Sequence, residues 1–494
     1  MVLWQACVKD DVDAGTGEIT SFKFLAEKNP ALVYDVTTKL VGDTLYAYTF
    51  AGTDIHALVP EFEFDGLEVT VGGAAQESGS STQDFTRLVD YTVHTGSGGS
   101  RTYTIKFSDT GLPSVYLSTD GQPILNKEDY VDGSFRIVRG FGGEALHEGL
   151  LEVRGRGNST WGMPKKPYRV KLGEAAPLLG MPANRHWALM ANFGDKSLLR
   201  NDIAFEISRR LELAYTPRQR YAEFFLNGEY MGNYNLTEHI REGTDRVNID
   251  EDNGGYILEA DGYAYSEPVY FETPSGVPIT VKFPDEEDIT PSQRDFIVDY
   301  YSAFESALFG DDFADPVGGY RQYLDLETFV NYYLANEICG NPDLFWSMRM
   351  YKKNEQDPLL YTGPVWDADL GFNNDNRLGD ATRKLMLTDA HAPKQWIDRI
   401  AQDPGFRRAV RDRWNAIKGD VSNINEYIDR QAALIRRSAA FNFQRWDILQ
   451  DPNIHLNWYV GSTYNDYVDF LKAYFDARLA WLDGIFNGEQ FDDE

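Results

Sequence analysis

Apolar and polar residues alternate through the first hundred positions. Ile19, Phe22, Phe24 and Leu25 open the pattern, and runs at 33–41, 44–49, 82–93 and 101–107 continue it. Turn signals separate the runs: Gly42–Asp43, then Gly96-Ser97-Gly98-Gly99. Short β runs spaced by turns predict a small all-β sandwich over residues 18–108. The sequence Ser108-Asp-Thr-Gly-Leu-Pro113 breaks the pattern, and a second domain is predicted over 112–494. It begins with strands at 115–117 and 149–153. Runs at 221–226 and 229–236 flank Asn227–Gly228, the strongest short hairpin signal. A strand at 255–260 carries Glu259, with Asp261 following. The period then lengthens. Leu198, Leu199, Ile203, Ile207 and Leu211 fall on one side of a helix over 195–213, with Asp195 or Ser197 as its cap. Further helices are predicted at 291–309, at 326–339 with Asp325 as cap, and at 403–417, 425–443 and 464–486. Trp414, Trp446 and Trp481 read as core, and Cys339 as a buried apolar residue. The fold class is α+β.

Composition narrows the function. A chain of 494 residues, 42% hydrophobic and 14% aromatic, buries large cores and divides into two or three units. A net charge of −30 argues against a nucleic-acid partner, which needs a basic footprint. No run of 18 apolar residues exists to form a spanning helix. Two cysteines, Cys7 and Cys339, imply no disulfide framework. The start, Met-Val-Leu-Trp-Gln-Ala-Cys7 followed by Val-Lys-Asp-Asp, resembles the end of a bacterial lipoprotein signal with a surface-export tag, although the charged start and longer apolar stretch of a full signal are not there. This implies a tether over 1–17, lipidation of Cys7, and membrane association through that anchor alone. The plainer alternative is an N-terminal tail.

Against the acidic background one stretch is basic. Residues 154–171 hold six Lys or Arg and no acid: Arg154, Arg156, Lys165, Lys166, Arg169 and Lys171. Gly155 and Gly157 allow close backbone approach, and arginine offers a bidentate fork for phosphate. Alternation at 168–172 puts Arg169 and Lys171 on one strand face. Arg154, Arg156, Asn158, Lys166 and Lys171 are thus candidates to grip phosphates, with Lys165 read as a solvated neighbour. Neither GxGxxGxV nor GxxxxGK[ST] is present, and a basic turn paired with the acidic surface is the plain alternative. The second stretch, Tyr361–Asn376, holds Asp367, Asp369 and Asp375 with Asn373, Asn374 and Asn376. Two carboxylates at i and i+2 suit a hard cation such as Mg²⁺. An EF-hand is excluded because positions 6 and 12 from Asp367 are Phe372 and Leu378. An Asp/Asn-rich turn that satisfies its own backbone remains the alternative.

The string RGRGNSTW, then KKPYRVKL, closely resembles the signature of the CotH kinase family. Its later landmarks follow in order: HWALMANFGDKSLLRNDIAFEISRRL, EFFLNGEYMGNYNLTEHI, GGYILEAD, NEICGNPDLFWSMRMYK and GPVWDADLGF. The resemblance implies an atypical protein-kinase-like domain with a β-rich N-lobe and a helical C-lobe. It implies phosphoryl transfer from ATP, with Mg²⁺ or Mn²⁺, to a protein Ser/Thr hydroxyl. Asp343 matches the catalytic aspartate. Asp367 matches the metal-binding aspartate, with Asp369 as helper. Glu238 and Glu259 match family acids assigned to the nucleotide site or to a lysine partner. One position departs: five residues after Asp343, where kinases place a second metal-binding Asn, stands Met348. Asn373, Asn374 or Asp375 substitutes, or one metal suffices, or activity is lost. The segment 18–108 resembles the Ig-like module of bacterial surface lipoproteins, which implies an outer-membrane surface location and a surface glycan as a partner. The rival readings are a non-catalytic surface binding or adhesion protein and a glycoside hydrolase, which needs two carboxylates across a cleft.

Overall fold

The computed structural model describes residues 15–491, and Cys7 lies outside them. The chain forms two compact units. One comprises residues up to 121 with 134–149 and 222–231, and the other comprises 122–133, 150–221 and 232 onward.

The first unit is all-β in its N-terminal part, with two sheets. One has the order Val36–Thr37, Glu18–Phe24, Glu61–Asp65. The other runs Lys39–Val41, Thr44–Thr49, Ser100–Asp109, Val89–His94, Glu68–Val71, Ala74–Ala75. Alternation drives this arrangement: Phe22, Phe24 and Phe62 from the first sheet meet Tyr91, Tyr103 and Ile105 from the second in one core. The rings of Phe22 and Tyr91 lie 5.0 Å apart, edge to face, the geometry aromatic pairs prefer. The run predicted at 82–93 is extended only over Val89–His94. Asp84 diverts the earlier part by accepting from the backbone N and hydroxyl of Thr86, an Asx turn. The hairpin signal holds: Asn227 and Gly228 both take positive φ, 50° and 85°, between Gln219–Leu226 and Glu229–Glu238.

The second unit mixes strands and helices. Residues 150–155, Tyr168–Ala176, Asn184–Met190 and 232–238 pair antiparallel in that order. A second antiparallel sheet runs Tyr270–Glu272, Pro278–Phe283, Tyr256–Asp261, Ser347–Lys352, Tyr361–Thr362. The helices that matter here are Arg200–Arg210, Leu326–Cys339, Pro404–Val421, Ile424–Arg445 and Tyr464–Phe486. The first starts later than its apolar period predicts, because Leu198 adopts φ +60°. Asp195 still serves its N-terminus, accepting from Arg200 N at 2.8 Å. Asp325 caps the helix Leu326–Cys339 through Thr328 N, as predicted. Cys339 is buried, and burial pushes its thiol pKa up. Of the three tryptophans read as core, Trp414 is buried, whereas Trp446 and Trp481 are half-buried beneath the guanidinium groups of Arg445 and Arg478.

Candidate active site

Strand pairing assembles a basic face in the second unit. Glu152 opposes Lys171 and Arg154 opposes Arg169, so all four project to one side, and His186 joins them opposite Lys171. Two of the cations are already partnered. Lys171 Nζ sits 3.0 Å from Glu152. Arg154 lies over the Tyr130 ring and donates to the carbonyls of Lys127 and Glu128. Arg169 differs. It makes no hydrogen bond or ion pair among the described residues, and its Nε is buried. Burial, with Arg154 and Arg241 close by, pushes its pKa down to about 10. Burial and the surrounding arginines push His186 down to about 3 and lower His239 as well, so both rings are neutral. Their Nδ1 atoms are buried and unpartnered. Cations outnumber anions here in a chain of net charge −30.

His239 links this face to Arg156, whose charge it feels along with that of Arg169. The Arg156 guanidinium packs over Trp366, 5.3 Å from the ring, and its Nη2 is 4.0 Å from Asp367 Oδ1. Asp367 follows a buried tryptophan in the left-handed conformation (φ 51°, ψ 50°). Trp366 is wedged against Phe205, and Ala368 N donates to Asn201 Oδ1, so the loop is pinned on both sides of the acid. The Asp367 side chain is 47% exposed, yet protein crowds it closely enough to raise its pKa. Arg156 and Arg349 oppose that rise, while Glu259 and Asp343 add to it. Burial, then Asp367, then Asp195, raise Asp369 to about 7. Two crowded carboxylates that repel each other suit a hard cation, with substrate oxygens completing its shell. Among the described residues no three His, Cys, Asp or Glu side chains form a self-sufficient metal cage.

Glu259 is buried and holds Arg349 (2.7 Å), Lys282 (3.3 Å) and the Ser347 hydroxyl (2.6 Å). Lys282 also reaches Asp261 and Glu267. Asp343 bonds the ring of His391 at 2.6 Å, and Arg377 lies 3.8 Å from the same oxygen. The structure therefore brings Arg156, Asp343, Asp367, Asp369 and Glu259 together. The sequence reading missed Arg349, Lys282 and His391.

Other expected site residues stand elsewhere. Asn158 is exposed and accepts from Lys127 Nζ. Lys166 is spent on Trp161, donating to its carbonyl at 2.6 Å with the ammonium 4.5 Å from the ring. Glu238 is fully buried and saturated by Arg218, Tyr215 and Arg246. Lys165, expected to be solvated, is 1% exposed and donates to Asn233 O and Asn442 Oδ1, with its ammonium over the Tyr234 ring in the interior. Met348 faces away from the site, into an apolar cavity lined by Ala260, Val277, Phe329 and Phe345, since its neighbour Arg349 pairs with Glu259. The three residues offered as substitutes for a second metal ligand are each engaged by neighbours. Asn373 is bound to Asp380, Thr382 and Ala381 N. Asn374 is bound to Gly194 O, Asp369 O and Asn457. Asp375 is engaged by Arg377. A prediction follows for the adjacent lysines. Lys165→Met destabilises the protein by about 2 kcal/mol by stranding two buried acceptors, whereas Lys166→Met changes stability by less than about 1 kcal/mol. Urea denaturation of both variants checks this.

The family described as CotH kinase protein matches residues 153–482, more than half of the chain and the stretch holding Arg156, Asp343 and Asp367. The family described as SGBP, N-terminal, matches residues 19–107. Among solved structures, a suspected glycoside hydrolase from Bacteroides thetaiotaomicron aligns at 16% identity with a TM-score of 0.16. The alignment covers 52% of this chain and 62% of that one, less than two thirds of its length, and a likeness so slight carries no argument. No curated protein matches. The chain belongs to the CotH kinase protein family.

Proposed function

We propose that the second unit is an atypical kinase domain, with a β-rich lobe and a helical lobe, that transfers a phosphoryl group from ATP to a protein Ser/Thr hydroxyl. The observation that carries this is Arg156 held over Trp366 beside the crowded carboxylates Asp367 and Asp369, with the basic face of Arg169 reached through His239. A metal-bound polyphosphate satisfies both sets at once. Asp367, helped by Asp369, would hold Mg²⁺ or Mn²⁺. The metal would supply charge neutralisation between the phosphates. Arg156 and Arg169 grip the phosphates, Arg154 and Lys171 flank them, and Asn158 and Lys166 stand at the rim. Glu259 fixes Arg349 toward the developing charge, and Glu238 supports the fold around the site. Asp343 serves the acceptor hydroxyl. Such positioning and electrostatics are most of what phosphoryl transfer requires of a protein.

The SGBP N-terminal match supports a surface glycan as the ligand of the first unit and a place at the cell surface, with Cys7 as the lipid anchor in the outer membrane. Among the described residues no helix is long and apolar enough to cross a membrane. The same match favours a second reading, a surface binding protein whose kinase-like unit holds nucleotide without turnover. Labelled ATP with Mg²⁺ or Mn²⁺ separates the two. Label on an acceptor or on the protein itself supports transfer. Metal-dependent binding without transfer supports the binding protein, and no nucleotide binding sinks both. Arg169→Ala weakens nucleotide binding by about 10–100-fold, the loss of one charge-assisted contact, with affinity measured by calorimetry.

A further inference from the structure

Asp343 and His391 lie 48 positions apart, and His391 is tied twice to the turn that holds Pro342 and Asp343. The backbone N of His391 donates to Pro342 O at 2.7 Å, and its ring Nδ1 lies 2.6 Å from Asp343 Oδ1. The turn they share is anchored in its turn. Asp343 N donates to Asn341 Oδ1, and Asn341 Nδ2 donates to the buried Asn336 of the helix Leu326–Cys339. Arg377 approaches the same Asp343 oxygen at 3.8 Å while held by Asp375. An ionised carboxylate accepts only, so beside a charged Asp343 the bridging hydrogen belongs to Nδ1. Nε2 is then left with a lone pair. Both side chains reach solvent, at 28% for His391 and 24% for Asp343, and Asp343 is close enough to Asp367 to raise its pKa. The fold spends neither Nε2 nor Asp343 Oδ2 on a hydrogen bond among the described residues.

We propose that His391, oriented by Asp343, is the base of the reaction. The inference rests on the phosphoryl-transfer reading. The acceptor O–H bond breaks and its proton moves to Nε2. The acceptor oxygen bonds to the transferred phosphorus as the bond from phosphorus to the departing nucleoside diphosphate breaks, and the diphosphate keeps the electron pair. Asp343 then stabilises the imidazolium, as a buried aspartate does for the histidine of an acyl-transfer triad. Imidazole is a stronger base than carboxylate in model compounds, and an acceptor of proton affinity near the working pH is the more effective catalyst.

The test compares the full-length wild type with His391→Asn and His391→Gln. Asparagine places an N–H donor where Nδ1–H stood and keeps Asp343 partnered, but offers no base. His391→Asn is expected to lower kcat by about 10²–10⁴-fold, with nucleotide KM changed less than about twofold and the acidic limb of the rate profile gone. A long-range ¹H–¹⁵N spectrum of the nucleotide-free protein is expected to show the His391 hydrogen on Nδ1. Wild-type rates for His391→Asn across pH overturn this inference alone, leaving Asp343 to act directly. A hydrogen on Nε2 overturns it without reference to activity. A wild type that binds nucleotide with metal but transfers nothing overturns the parent reading and this one together.

Discussion

Asp367→Asn lowers phosphoryl transfer by about 10³-fold or more, the scale of losing a principal electrostatic contact in the transition state. The substitution is informative because of the backbone. Asp367 sits at φ 51°, ψ 50°, a conformation asparagine accepts and alanine does not. Asp367→Asn therefore removes one charge while Trp366, Ala368 and the loop keep their places. The loss should fall on the metal-dependent part of binding. Wild type is expected to hold nucleotide more tightly with Mg²⁺ than without it, and Asp367→Asn is expected to hold it equally in both. Arg156, 4.0 Å away, keeps its Trp366 contact and its proposed grip on phosphate, so metal-free nucleotide affinity is expected to be retained or to rise. Calorimetric titration with and without metal reads this directly. A variant that keeps its metal-dependent increment moves the metal away from Asp367 and with it the proposed assignment of the site.

The half of the site that could be read from the sequence is the half written in local patterns. Asp367 and Asp369 are two residues apart on a loop held by Trp366, and Arg156 lies in a basic stretch free of acids, so composition and spacing made them candidates. Glu259 and Asp343 came with the family resemblance. His391 and Lys282 have no such local mark, and they arrive through chain reversals that put residues 48 and 23 positions distant against Asp343 and Glu259. Arg349 had a signal. In Ser-Met-Arg-Met-Tyr-Lys the polar residues alternate with methionine, so Ser347 and Arg349 share one face of a strand and Met348 and Met350 the other. That period by itself turns Met348 away from Glu259 and the candidate site. Comparison with a kinase catalytic loop obscured it, because a fixed offset from Asp343 presumes a loop where this chain has a strand. Lys165 and Lys166 failed for a related reason: adjacent residues take opposite sides, and which side is interior depends on Tyr234 and on Asn442, 277 positions away.

Arg478→Met, outside the candidate site, is expected to cost about 3–5 kcal/mol, the range for removing one partner of a buried ion pair. Arg478 and Glu337 are both fully buried and paired. The guanidinium also donates to the carbonyls of Ala381, Thr382, Lys384 and Glu337. Glu337 in turn accepts from Met386 N and Leu387 N. The pair thereby ties the helices Leu326–Cys339 and Tyr464–Phe486 to the segment leading to His391. The pH dependence gives the loss a signature. Burial holds the Glu337 carboxyl above its ordinary 4.5, and Arg478 draws it back down. An acid raised in the folded state costs nothing while both states are protonated. Its penalty grows as pH rises past the unfolded value and levels off once the folded group has ionised. Without Arg478 the folded value climbs further and the penalty extends to higher pH. The gap between wild type and Arg478→Met in urea midpoint should therefore be wider at pH 8 than at pH 5. Arg478→Met/Glu337→Leu, which leaves no charge behind, should recover part of the loss at pH 8 and less at pH 5. A gap that does not change with pH would mean that Arg478 acts through the four carbonyls it binds and not through Glu337.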